Sequence, residues 1–280
     1  MKLLRYGPAG KERPGILDNS GQIRDLSGTI SDITPDVLAP ASLEHLRKLD
    51  PARLPPVTGT PRIGPPVGQV PKIVAVGLNY RDHANEATMK IPTEPVLFMK
   101  TITSYSGPND TVILPKNSIK GDWEVELGIF IGTKAQYVSK DDALKHIAGY
   151  CIVNDVSERN FQLERGPQWM KGKGCDTFCP TGPWLVTADE VPDPQKLEVM
   201  CEVSGQVMQK ASTKDMIFDC ATIISYTSQF LTLMPGDLIA TGTPSGVGMG
   251  RNRFLKPGDS MRLTVTGLGE QRQKVVAYPG

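Results

Sequence analysis

The stretch GDWEVELGIF, residues 121–130, decides how the chain is to be read. Trp123, Val125, Leu127 and Ile129 alternate with Glu124, Glu126, Gly128 and Phe130, a period of two that predicts a strand. Residues two apart on a strand point to the same side, so Glu124 and Glu126 project together from WEVEL. Working outward from this run, strand patterns recur at KIVAVGL, PVLFMK, AGYCIVND, GPWLVT, KLEVMCEV, DLIATG, MRLTVTGL and QKVVAY, most of them bounded by Gly or Pro turns. Two PGD turns, at Pro235 and Pro257, each lead into a strand. Helical patterns are fewer: SLEHLRKL, SKDDALKHIA with Ser139 as N-cap and Asp142 in a capping-box position, and FDCATIISYTSQFLTL. Strands and helices do not alternate regularly, which argues against a doubly wound sheet. The expected class is strand-rich α+β, a mixed sheet curled into a roll or a β-sandwich-like barrel.

Residues 54–72, LPPVTGTPRIGPPVGQVPK, carry six prolines and predict a stiff, extended connector. Ahead of it, KLLRY and PGILDNSGQIRDLSG read as short strands with a turn at Asn19-Ser20-Gly21. The expected division is a small N-terminal domain with its connector over residues 1–70 and a catalytic domain over residues 71–280. With 39% hydrophobic residues, 22% charged residues and a net charge of +1, the 280-residue chain reads as globular, with no basic excess for nucleic acid or an anionic membrane. Its first residues lack the apolar core of a signal peptide, and no run approaches the roughly 18 apolar residues of a membrane span, so the expected location is the cytoplasm. The five cysteines are odd in number and scattered, and are expected as reduced thiols; CDTFC lacks the second ligand pair a zinc site needs.

Two like charges on one strand face repel unless water screens them or a cation lies between them. Read alone, the pair fits a solvated acidic face. AGYCIVND ends in Asp155, a carboxylate at the end of an apolar strand, where pocket mouths commonly lie, although a turn residue reads the same way. Three carboxylates make a hard oxygen site suited to Mg²⁺, Mn²⁺ or Ca²⁺, whereas zinc would favour imidazole or thiolate. In GLNYRDHANEA, His83 and Glu86 stand at i and i+3 of a short helix; a carboxylate beside an imidazole suits a general base, and also suits an ordinary surface pair. Lys173, flanked by Gly172 and Gly174, reads as a cation on a loop that can approach a ligand, or as a solvated lysine. ATGTPSGVG, residues 240–248, offers the Thr243 hydroxyl and unhindered N–H groups as an oxyanion site, or is a plain turn. FMKTITSYSGP, with Lys100, Ser104 and Tyr105, is a candidate wall. No nucleophile elbow, phosphate loop or dinucleotide fingerprint is present.

Taken in order, GLNYRDHANE, EVELGIFIG, VNDVSERNFQ, GKGCDTFCPTGP and TGTPSGVG resemble the fumarylacetoacetate hydrolase family from residue 72 to the C-terminus. The resemblance implies a mixed β roll and a divalent metal, Mg²⁺ or Mn²⁺, held by Glu124, Glu126 and Asp155. It also implies His83 and Glu86 as the water-activating pair, Lys173 as a catalytic cation, and Arg159, Gln162 and Thr243 as substrate-binding residues. A homodimer is implied, with a small dioxo acid as the partner molecule and neither nucleic acid nor membrane. The N-terminal run resembles the bacterial branch that includes 2,4-diketo-3-deoxy-L-rhamnonate and L-fuconate hydrolases, a branch whose members are also labelled ureidoglycolate lyase. The implied reaction is hydrolysis of a carbon–carbon bond in a 2,4-dioxo acid to pyruvate and a second acid such as lactate. The alternatives in the same site are oxaloacetate decarboxylation, tautomerisation and ureidoglycolate cleavage.

Overall fold

The protein is described by a computed structural model that covers every residue except 87–89 and 167. Its largest sheet runs Ile23–Asp25, Arg13–Leu17, Lys2–Tyr6, Cys179–Thr187, Ile147–Asn154, Val125–Ile131, Leu238–Ala240, Ile73–Gly77 and Val96–Lys100. Ile63–Gly64 and Tyr105–Ser106 pair beside it. Only Leu238–Ala240 and Ile73–Gly77 run parallel along this path, so the sheet is mixed. A second sheet runs Gln206–Ser212, Glu198–Val203, Ser260–Val265, Gly269–Ala277 and Val112–Leu114. Neither path closes on itself among the described residues, and residues 55–57 bridge only to the Ile23–Asp25 edge. The strand-rich α+β expectation therefore holds, but the barrel does not close; two open sheets face each other instead.

Side-chain parity explains why they stack. Val125, Leu127, Ile129 and Ile131 all enter the core that also contains Val199, Cys201, Leu263 and Val265 from the second sheet. Phe130, of opposite parity, enters a second core on the other face with Leu3, Ile16, Leu38, Leu46, Ile73 and Leu238. A strand buried on both faces reads as a near-continuous apolar run, and every residue of Val125–Ile131 is buried. Glu126 shares parity with Phe130, so its carboxylate lies on the second face.

The second core is closed by the N-terminal residues. Helix Pro40–Arg47 contributes Leu43 and Leu46, and the proline-rich stretch contributes Val67 and Val70. That stretch pairs with the N-terminal strand at Arg5↔Gly64, and Arg62 bridges Glu12 at 2.8 Å and Asp110 at 2.6 Å. The compositional boundary near residue 70 is thus spanned by one continuous core. The PGD turns form as read: Gly236 and Gly258 take φ of 85° and 98°, and Asp237 and Asp259 accept the N–H groups of Met234 and Lys256. Ser139 caps Lys140–Ala143. The chain then tightens into a 3₁₀ turn at Leu144–His146 and enters the strand at Ile147, so the last two residues of the expected helix, Ile147 and Ala148, are strand. The helix expected in GLNYRDHANEA spans Arg81–Glu86, and its Ala87 lies outside the described residues. No helix among the described residues is long and apolar enough to cross a membrane.

Candidate active site

Antiparallel register assembles the acidic cluster. Val125 pairs with Asn154 and Glu126 with Val153, so Asp155 falls opposite Glu124, and its N–H donates to the Glu124 carbonyl at 2.9 Å. Directly opposed residues share a face. Glu124, Glu126 and Asp155 accordingly bring one carboxylate oxygen each to within 4.8 Å of one another, all buried. Regular pairing starts at Val125, and Glu124 sits one residue ahead in extended chain.

At such separations two ionised carboxylates repel by about 3 kcal/mol even at an effective dielectric constant near 20. The protein answers with ammonium groups. Lys173 Nζ donates to Glu124 Oε2 at 2.6 Å and to Asp155 Oδ2 at 2.7 Å. Lys100 Nζ, also buried, donates to Asp155 Oδ1, to the Lys173 carbonyl and to the Val156 carbonyl. Burial works to raise the Glu124 carboxyl, but Lys173 and Arg159 overcome it and hold it at about 2. Burial, then repulsion from Asp155 and Glu124, drives Glu126 well above the usual range, against Lys173 and the Gly242 N–H that donates to it at 2.8 Å. Glu126 is therefore the member of the trio that stays neutral until more positive charge arrives.

Lys173 does not ride on a loop, as its flanking glycines suggested. It ends the helical turn Met170–Lys173. Gly172 is needed for close approach: a Cβ there would lie 2.3 Å from the Glu158 carbonyl and 2.6 Å from Gln162. That contact seats the ammonium over the carboxylates.

Arg159 precedes, and Gln162 lies within, the π-helical turn Asn160–Glu164, a geometry frequent at functional sites. Arg159 Nη2 donates to Glu124 at 2.5 Å, its Nη1 to Gln162 at 3.0 Å, and its Nε to Asp122 at 2.8 Å. Asp122, fully buried, also accepts the N–H groups of Trp123, Gly248 and Met249. It thereby joins the guanidinium to the glycine-rich loop. The Thr243 hydroxyl donates to the Val125 carbonyl at 2.9 Å and accepts from Gln209 at 2.7 Å. Its proton is engaged by the Val125 carbonyl, so Thr243 fastens the loop to the strand while it lines the cleft.

His83 and Glu86 meet across the turn of Arg81–Glu86, with Nδ1 3.5 Å from Oε2. That separation is too long for a strong hydrogen bond and short enough for electrostatic coupling. Burial works to raise Glu86, but His83 and the Gly246 N–H, 2.9 Å from Oε2, lower it.

His83, Glu124, Glu126, Arg159, Gln162, Lys173 and Thr243 border one cleft and meet apolar walls there, while Glu86 lines an adjoining hollow that shares His83 and Met249 with it. Asp155 lies beneath, behind Lys173. Of the candidate wall FMKTITSYSGP, only Phe98 lines the cleft. Ser104 turns back to the Thr101 carbonyl and Tyr105 donates to Val67. Sequence reasoning missed Asp122 and Trp169, and placed Lys100 on the wall when it lies beneath the carboxylates. The one available signal was the parity of Phe98 and Lys100 on a single strand. All five cysteines are free.

The donor set fits a hard divalent cation: three buried carboxylates, no imidazole or thiolate among them, and an ammonium already bridging two of the three.

Two open sheets around a buried acidic cleft, with an imidazole–carboxylate pair at its rim, define an enzyme of the hydrolase type. The chain belongs to the fumarylacetoacetate hydrolase family: residues 72–276 match the family model described as fumarylacetoacetate (FAA) hydrolase C-terminal. A Burkholderia orbicola protein, whose name places it among hydrolases without a substrate, is 57% identical over 277 residues, 98% of each chain. Among solved structures, the fumarylacetoacetate hydrolase of Exiguobacterium antarcticum is 34% identical with a TM-score of 0.86, covering 99% of this chain and 100% of that one. The maleylpyruvate hydrolase of Sphingobium sp. SYK-6, in complex with manganese(II) and pyruvate, is 30% identical with a TM-score of 0.82, covering 99% of each.

Proposed function

We propose that the protein hydrolyses the C3–C4 bond of a 2,4-dioxo acid in a divalent-metal-dependent reaction, releasing pyruvate and a second acid. The observation that carries this reading is the convergence of Glu124, Glu126 and Asp155 under Lys173, with His83 bordering the same cleft and Glu86 behind it in the adjoining hollow. The manganese and pyruvate in the Sphingobium relative support it. A Mg²⁺ or Mn²⁺ ion on the three carboxylates would supply Lewis acidity toward the substrate's 1-carboxylate and 2-oxo oxygen. His83, with Glu86 3.5 Å from its Nδ1, takes a proton from the attacking water while the water oxygen bonds to C4. The C3–C4 electron pair leaves with the pyruvyl fragment as its enolate, whose charge Lys173 faces, and C3 then takes up a proton. Arg159 and Gln162 hold the substrate carboxylate. Oxaloacetate decarboxylation and tautomerisation need no attacking water, and the His83–Glu86 pair favours hydrolysis over them.

The test is pyruvate release from acetylpyruvate, 2,4-diketo-3-deoxy-L-rhamnonate and oxaloacetate, and glyoxylate release from ureidoglycolate, with Mn²⁺ or Mg²⁺. Within that panel the N-terminal resemblance supports the sugar acid, with lactate as the second product. Glu126→Ala should abolish metal-dependent turnover while leaving the fold intact, and His83→Ala should lower kcat by roughly 10²–10⁴-fold. Full activity in excess chelator would refute the metal role, and a wild-type kcat in the His83 variant would refute the base.

A further inference from the structure

We infer that the cleft beyond the carboxylates is an apolar subsite, and that the substrate's acyl arm is an uncharged group that turns hydrocarbon toward it. This inference rests on the dioxo-acid reading above. The subsite is built by Leu78, Phe98, Leu163, Trp169 and Met249. Each is held there by something other than a general preference for burial.

Leu78 takes a left-handed backbone, φ 53°, which a leucine adopts only under constraint. The constraint is Asn79, whose side chain donates to the Phe218 and Thr241 carbonyls and accepts the Phe218 N–H, locking the turn that follows strand Ile73–Gly77. Trp169 lies against that strand because residue 77 is glycine: a Cβ there would stand 2.6 Å from the indole ring. Phe98 meets Trp169 edge-on at 5.5 Å and carries the Lys173 ammonium over its ring at 5.1 Å. The aromatic corner thus begins where the charged floor ends. Met249 is fixed through its N–H to Asp122 at 3.0 Å. Leu163 follows the buried Gln162 on the π-helical turn and is 47% exposed at the mouth.

The polar count points the same way. Apart from His83, the cations lining the cleft among the described residues are Arg159 and Lys173, and both already face Asp122, Glu124 and Asp155. A second carboxylate at the far end of the arm would be desolvated against Trp169 and Leu163 with no unengaged cation to meet it. A methylene chain or a phenyl ring would bury apolar surface.

The experiment is calorimetric binding of straight-chain 2-oxo acids, from 2-oxobutanoate to 2-oxooctanoate, and of 2-oxoadipate, to the Mn²⁺-loaded full-length protein. In parallel, kcat/KM is measured across 2,4-dioxo acids of increasing chain length. Affinity should rise about threefold to fourfold per methylene. The charged 2-oxoadipate should bind at least about tenfold more weakly than 2-oxohexanoate. Trp169→Ala should flatten the chain-length slope to below about twofold per methylene, and Leu163→Lys should turn the preference toward 2-oxoadipate. Affinity independent of chain length, or wild-type preference for 2-oxoadipate, overturns the inference. If the 2-oxo acids show the slope while no dioxo acid is cleaved, the reaction assignment falls and the subsite stands. Cleavage without a slope does the reverse, and absence of both binding and cleavage removes both.

Discussion

Asp122 stands two positions before Glu124 in the decapeptide that decides the fold, and the strand pattern there assigns it no role. In the folded chain it receives four hydrogen bonds, from one guanidinium and three backbone N–H groups. Removing one partner of a buried ion pair leaves the other charge uncompensated, so Asp122→Ala should cost about 3–5 kcal/mol in unfolding free energy. It should also lower kcat/KM, because Arg159 loses its second anchor; denaturant melts and steady-state kinetics check the two effects. Glu124, Glu126 and Asp155 were legible as a cluster because strand parity is a property of the local sequence. Asp122 was not, since its partners at 159 and 248–249 are brought to it only by tertiary folding. Cys175 gives a separate residue-scale prediction. Burial lifts its thiol to about 11, with Glu158 and Asp176 adding to the rise and Lys100 opposing it. Its pKa being raised, the reactive thiolate is scarce at pH 8, and native-state alkylation should accelerate about tenfold per pH unit from 8 to 10. In denaturant the same cysteine should level off near pH 9. Mass-spectrometric labelling rates decide the matter, and a native plateau below pH 9 would contradict the burial argument.

Glycine-rich elements separate by what their glycines touch. A Cβ on Gly246, φ 99°, would stand 1.9 Å from the Met208 carbonyl, a backbone atom that cannot yield. A Cβ on Gly250 would stand 2.4 Å from Glu86 Cδ, the end of a flexible side chain. Gly246→Ala should therefore destabilise the fold by several kcal/mol, of order 3 or more. Gly250→Ala should leave the melting temperature nearly unchanged yet push Glu86 away from His83, lowering kcat and moving the acid limb of its pH profile. Equal melting losses in the two variants would refute this distinction. The loop's existence was readable from TGTPSGVG, but its role was not: the Thr243 hydroxyl looked available, and only the folded chain shows its proton taken by the Val125 carbonyl and its oxygen met by Gln209 from the second sheet. Lys173 was likewise placed on a loop, because two flanking glycines argue against helix; packing of Gly172 against Glu158 overrides that propensity.

At the scale of the whole molecule, the N-terminal residues act as one wall of the second core. Leu3, Ile16, Leu26 and Leu46 pack with Ile73, Phe130, Val153 and Leu238 from the rest of the chain. A chain of residues 71–280 alone would expose that face, and should be recovered as aggregate or as a species lacking a cooperative melt. A soluble, cooperatively melting fragment would show that the two parts fold separately. Composition marked the boundary because proline-rich chain excludes regular structure. It could not show that Val67 and Val70 are buried, since extended chain packed on a core and extended chain in water have the same local sequence. Saturating Mn²⁺ at about 100 times its dissociation constant should stabilise the intact protein by about 2.7 kcal/mol, and Glu126→Ala should cancel that shift.

The ammonium groups beneath the cleft also set its electrical balance. Asp122, Glu124 and Asp155 are matched by Lys100, Arg159 and Lys173, while Glu126 is held neutral by burial and repulsion. The buried floor is therefore electroneutral by itself, which lets the chain fold before any cation arrives. Ionising Glu126 against an incoming divalent ion leaves a surplus of one positive charge. On the reading proposed above, a monoanion would then restore neutrality and a dianion would overshoot it, so the floor of the cleft would favour a substrate by total charge before its walls favour one by shape.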